Sequence, residues 1–222
     1  MSPLQRAFSR SGLLLVLAIG HLSAGLFILN LQTGFEQISE TGVRRLTMVL
    51  FAASQSITLH QVQLKFIVGG LLLLVLIRQA WGWPTRWFTD AMGALLCLRC
   101  TLQFLLLNLL LLSPMRAGGL LLGQLVLFLP VITIAFGWLY ARLDSVARQR
   151  GRTHIAFDDG RQRIGNFDYF HMAGMTLLQF EPSGATASSR LMKSLFLLHG
   201  IVMLDLVALT LSRAIGLASG SG

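Results

Sequence analysis

The chain has 222 residues, of which 54% are hydrophobic and 12% charged, against roughly 25% charged in an ordinary soluble domain. With a mean hydropathy of +0.69, it has too few charges to coat a water-facing shell, which excludes soluble enzymes and disordered chains. The net charge of +9 would point to nucleic acid in a soluble protein, but the lysines and arginines sit mostly at the ends of apolar runs. Lipid headgroups and membrane topology account for them, and no nucleic-acid partner is expected.

Along the chain, residues 12–31 form an uncharged apolar run of about 20 residues, longer than a signal-peptide core. Arg6 and Arg10 precede it, so it reads as a retained helix with a cytoplasmic N-terminus. Residues 32–45, with Glu36 and Glu40, read as a loop. The apolar stretch 46–80 is interrupted by His60, Gln61, Gln63 and Lys65, which predicts two short spans, 46–60 and 66–82. Trp81, Trp83 and Trp87 around Pro84 predict a turn at the membrane surface.

A further span is expected over 88–112, stopped by Ser113 and Pro114, and another over 118–140 that contains Pro130. Residues 144–167 make the long hydrophilic connection, with Arg148, Arg150, Arg152, Arg161 and Arg163 beside Asp158 and Asp159. The segment 167–178 is too short to span, 182–189 is polar and turn-forming, and 191–215 is a last span before a flexible tail over 218–222. The expected fold is therefore all-α and polytopic, with about six transmembrane helices and a re-entrant half-helix. Residues 1–117 would hold about four spans, and 118–217 a pore-like domain of outer helix, half-helix and inner helix.

Six spans put both termini in the cytoplasm and carry the arginines of 148–163 outside. A single tilted span over 46–82 would reverse everything after it and bring them inside, as positive charge prefers. Six spans is the expectation, because His60 to Lys65 is too polar to lie in lipid.

The stretch Phe167-Asp168-Tyr169-Phe170, followed by Thr176-Leu177-Leu178-Gln179-Phe180-Glu181-Pro182, resembles the pore helix and filter of bacterial ion channels of the potassium-channel superfamily. The resemblance continues into Arg190 and Leu191-Met192-Lys193-Ser194-Leu195, which are similar to that family's inner-helix start. It implies a homotetramer in a bacterial inner membrane, around a pore for monovalent or divalent cations, with no enzymatic activity and no cofactor. The sequence departs from the family where it matters most. With Thr176 at the filter threonine, Gln179 and Glu181 stand in place of two glycines, with Phe180 between them. Those glycines let backbone carbonyls point at a dehydrated ion. Thr176, Leu177, Leu178, Gln179, Phe180 and Glu181 therefore imply a side-chain filter with poor potassium selectivity.

In that reading Glu181 forms a carboxylate ring at the mouth, and otherwise it is a helix-end residue facing water. Gln179 lines the constriction or bonds the carbonyls of the half-helix. Asp205, mid-way along the last span, is the costliest side chain in the sequence to place in lipid. It lines an inner cavity or pairs with Lys65, Arg78 or Arg99. No row of arginines at every third position exists, so a voltage sensor is not expected.

Two other readings stay open. Cys97 and Cys100 form a C-x-x-C that fits a quinone-linked thiol oxidoreductase, or are small buried side chains. His21, His60, His171 and His199 fall in or beside apolar segments and would suit a bis-histidine haem, or act as neutral hydrogen-bonded residues. A channel-fold relative that no longer conducts is the remaining alternative.

Overall fold

The computed structural model describes residues 3–28, 40–57, 86–110, 118–158, 164–179 and 184–218, with single positions at 69, 70, 73 and 77. Its elements are α1 (Pro3–Ile28), α2 (Thr41–Ile57), α3 (Arg86–Leu110), α4 (Gly118–Gln149), β1 (Ile155–Phe157), α5 (Asn166–Gln179), β2 (Ala185–Ala187) and α6 (Arg190–Ala218). Helices dominate because hydrocarbon offers a backbone amide no other partner than its own chain. Among the described residues three helices are long and apolar enough to cross a membrane, Arg86–Leu109, Gly123–Gln149 and Arg190–Ser212, with a shorter apolar helix over Gly12–Gly25. These fit an all-α membrane protein. Most of the expected span 66–82, and the turn around Pro84, lie outside the described residues.

The chain divides into two compact units, Met1–Met115 and Arg116–Gly222. In the first, α3 packs against both α1 and α2. The buried residues of α2, Thr47, Phe51 and Ser54, recur at the four- and three-residue spacing of one helix face. The Thr47 hydroxyl is satisfied by the Val43 carbonyl at 2.8 Å. Leu14, Leu17 and Ala24 of α1 and Leu96, Leu106 and Leu107 of α3 are buried, whereas Leu15 and Leu22 and Leu98 and Leu105 on other faces stay exposed, as suits helices bathed in lipid.

In the second unit α4 is the axis, contacted by both α5 and α6. The core gathers Tyr140 and Ala141 of α4, Ile155 of β1, Tyr169, Met172 and Ala173 of α5, Ala185 of β2 and Met192 of α6. Gly137 sets the spacing of α4 and α5. A methyl group there would lie 3.1 Å from the Phe170 Cα and overlap the Phe170 ring, so the helices approach this closely only because Gly137 has no side chain.

Three boundaries depart from the sequence reading. Helix α2 begins at Thr41, inside the expected polar loop. Helix α4 continues to Gln149, well past Tyr140, because Arg148 reaches back one turn to Asp144 and the end is closed by Gly151. That glycine has a φ of 71° and donates to the Arg148 carbonyl at 3.1 Å, the left-handed stop common at helix C-termini. Beyond it, the expected loops pair as an antiparallel ladder with Ile155 opposite Ala187, Ala156 opposite Thr186 and Phe157 opposite Ala185. Each strand is too short to show a period-two pattern.

Candidate functional site

The second unit contains a segment that leaves one end of α4 and returns to it. Helix α5 starts beside the C-terminal end of α4, where the Tyr169 hydroxyl donates to Asp144 at 2.6 Å. It then runs back along α4, passing Gly137 at Phe170 and reaching the level of Thr133 at Gly174, where an added methyl would stand 3.7 Å from the Thr133 methyl. From Asp144 to Thr133 is about 16 Å along a helix axis. After α5 the chain is again at the starting end, since β2 pairs with β1 and Asp158 donates to the Gly184 carbonyl at 3.1 Å.

Four of the residues expected to form a filter stand at the far end of this excursion. Thr176, Leu177, Leu178 and Gln179 are the last residues of α5, all helical. Thr176 is buried and its hydroxyl donates to the Met172 carbonyl at 3.1 Å, so it is spent within its own helix. Leu177 is half-buried, and Leu178 and Gln179 are exposed. Phe180 and Glu181 lie outside the described residues. Asp205 lies half-buried on α6, on the order of 9 Å further along that helix than His199. The His199 ring stacks on Phe136 of α4 at a centroid distance of 4.0 Å.

What holds the excursion in place was not visible in the sequence. The Asp144 carboxylate is fully buried and accepts four hydrogen bonds. One oxygen takes the backbone N–H groups of His154 and Ile155 at 2.8 and 3.0 Å. The other takes the Tyr169 hydroxyl and the Arg148 Nε, each at 2.6 Å. Arg148 also donates to the Ile155 carbonyl at 3.0 Å. A buried carboxylate is tolerated only when it is paired and its lone pairs are filled, and this one joins α4, β1 and α5. Burial, with the Asp144 carboxylate beside it, holds the Tyr169 phenol above its ordinary range and keeps it a donor. The one trace in the sequence is the i,i+4 spacing of Asp144 and Arg148.

The first unit buries polar groups in another way. Arg99 of α3, 4% exposed, donates through Nη1 to the His21 Nδ1 at 3.0 Å and to the His21 carbonyl at 3.1 Å. The His21 Nε2 faces the Met92 carbonyl at 3.0 Å, which assigns the proton to Nε2 and the lone pair to Nδ1. Gln103 donates to the Ala24 carbonyl at 2.6 Å. Both nitrogens of His21 are thus engaged, and the His199 Nδ1 bonds the Tyr140 hydroxyl at 3.0 Å with its ring covered by Phe136. The His199 Nε2 is buried and has no hydrogen-bond partner among the described residues. Cys97 and Cys100 are both free thiols in α3, half-buried and buried. No group of metal-ligating side chains exists among the described residues. The chain matches no known protein family, no curated protein and no solved structure.

Proposed function

We propose that this protein is the pore-forming subunit of a cation channel, a homotetramer in which α4, the half-helix α5 and α6 repeat around a central axis. The reading rests on one observation, the excursion of residues 166–187 from the end of α4 to the level of Thr133 and back to the ladder. A half-helix at membrane depth needs protein or water around its far end, and four subunits would supply both. Leu178, 76% exposed, and the polar Gln179 stand at that far end, where a single subunit leaves them uncovered.

In the assembled pore Gln179 lines the constriction, Glu181 contributes a ring of four carboxylates at its entrance and Asp205 faces the inner cavity. Selection is then by charged and amide side chains, with weak preference for potassium, since no glycine pair is available to bend carbonyls inward. Four carboxylates close together in a low-dielectric pore act far more strongly on an ion than they would on an open surface.

The test is Glu181→Gln in planar bilayers. The expected result is a marked fall in cation conductance and in preference for cations over anions, with the oligomer unchanged on a native gel. Full single-channel current in Glu181→Gln would sink the filter assignment. A silent wild-type protein across voltage and pH would identify a channel-fold relative that does not conduct, and a monomeric particle would sink the pore altogether.

A further inference from the structure

The basic residues of the second unit collect at one end, which the pore reading leaves unused. Eight of the 18 lysines and arginines fall between Arg142 and Lys193, whereas the rest of residues 116–222 holds only Arg116 and Arg213. The fold sharpens that asymmetry. Ser188 donates to the His154 carbonyl at 2.9 Å, continuing the β1–β2 ladder outward. The chain at Arg150 and Arg152 is thereby brought to the same end as Arg190 and Lys193. All four side chains are exposed, and none meets a carboxylate among the described residues.

Two of these cations are badly placed for the helix that carries them. Arg190 and Lys193 occupy the first turn of α6, which contains no acidic residue. The N-terminus of a helix carries positive partial charge and unsatisfied N–H groups, so cations there are unfavourable and an anion is welcome. Arg148, by contrast, is engaged by Asp144 and serves the fold. Around the cations are groups that suit the boundary of a bilayer: Phe167 at the start of α5 is 76% exposed, and Leu191, beside Arg190, is 52% exposed.

We propose that Arg150, Arg152, Arg190 and Lys193 form a binding surface for anionic phospholipid headgroups in the cytoplasmic leaflet, and that this end of the second unit therefore faces the cytoplasm. The two parts share one cause. Short loops rich in Lys and Arg are retained on the cytoplasmic side, and each cation near an anionic membrane surface strengthens attachment about fivefold. The half-helix α5 then enters the membrane from the cytoplasmic face. If the N-terminus is also cytoplasmic, an even number of crossings comes before this end, as in the arrangement where 46–82 crosses once. The surface does not depend on conduction and stands whether or not the protein is a channel.

The orientation is read with Thr153→Cys, an exposed position next to Arg152, and a membrane-impermeant maleimide, with labelling of the unmodified chain subtracted for Cys97 and Cys100. Labelling in inverted membrane vesicles and protection in spheroplasts is the expected result; labelling in intact spheroplasts overturns the orientation. The lipid is read by native mass spectrometry of the full chain in neutral detergent with added phosphatidylglycerol or phosphatidylcholine. The variant Arg150→Gln/Arg152→Gln/Arg190→Gln/Lys193→Gln should keep at least about fivefold less phosphatidylglycerol and the same phosphatidylcholine, and excess inorganic phosphate should leave retention in the unmodified chain unchanged. Equal phosphatidylglycerol retention in the variant, or displacement by phosphate, overturns the headgroup assignment. Unchanged helical circular dichroism in the variant and phosphatidylcholine retention equal to the wild type tie the loss to the four cations; a fall in both lipids together overturns it.

Discussion

Each unit buries a charge, and the two do so in opposite ways. In the first, the Arg99 cation lies within α3 and donates to both the ring and the carbonyl of His21. In the second, the Asp144 anion lies near the end of α4 and is answered by four donors from Arg148, His154, Ile155 and Tyr169. Through His21, Arg99 ties α3 to α1. Asp144 ties a helix to a strand and a half-helix at once, in a part of the chain where short elements have little apolar surface of their own. A buried charge thus contributes to architecture in proportion to the number of separate elements that it must recruit to be neutralised.

The largest test of that contrast is Asp144→Ala. It strands a buried phenol, two backbone N–H groups and a guanidinium, and should cost about 3–5 kcal/mol in SDS-titrated unfolding of purified protein. Amide exchange should rise at 154–158 and 166–173 while α1 and α3 stay protected. Equal loosening of α1 and α3 would show that the two units are not held separately.

Gly137→Ala comes next, at about 1–3 kcal/mol for overpacking against Phe170. Adding Phe170→Ala should recover part of the loss, because the added methyl then has space. A full-cost double variant would mean that the close approach of α4 and α5 has another origin.

In the first unit, Arg99→Met should cost about 1–2 kcal/mol, the upper range for polar contacts between membrane helices. The double variant Arg99→Met/His21→Leu should cost little more than either single one, a coupling near 1 kcal/mol. Strict additivity in that cycle would leave the Arg99–His21 contact without energetic weight.

The smallest effect is that of Tyr169→Phe, about 1.5 kcal/mol, the low end for one hydrogen bond to a charged group, because three other donors stay on Asp144. Its pH dependence has a fixed sign. The folded phenol titrates above its unfolded value, near 10. The stability it confers is therefore complete below that value and is lost as pH rises beyond it. Wild type should lose stability more steeply than Tyr169→Phe above about pH 10, and parallel alkaline limbs would remove Tyr169 from the Asp144 cluster.

Legibility differed by element. The short helix expected at 167–178 corresponds to α5 over Asn166–Gln179, and the last apolar helix expected at 191–215 to α6 over Arg190–Ala218. Both are bounded by strong local signals, an Asp168 that caps Gly165 at 2.7 Å and a Ser189 that accepts from Met192 at 3.2 Å. Residues 88–112 likewise announced α3. The strands did not announce themselves, because Ile155–Phe157 and Ala185–Ala187 are each three residues long and gain meaning only from each other. The Asp144 cluster was hidden for the same reason, since Tyr169 stands 25 positions away in sequence. Of the residues expected at the pore, Thr176 to Gln179 occupy one helix end. The burial that separates Thr176 from Leu178 and Gln179 could not be read from a segment so short.

The membrane class and the helical backbone were determined by the sequence alone. Transfer of apolar side chains out of water is a sum over residues that needs no partner, and lipid then allows a spanning segment little choice but the helix. Two things were decided only by tertiary structure. One is that the arginine-rich connection folds back as a ladder and gathers Arg150, Arg152, Arg190 and Lys193 at a single end. The other is that the short helix α5 is fixed to that end through one saturated carboxylate. Both depend on hydrogen bonds between residues far apart in the chain. The strength of such bonds is set by geometry and desolvation at the point of meeting, which no local pattern of side chains encodes.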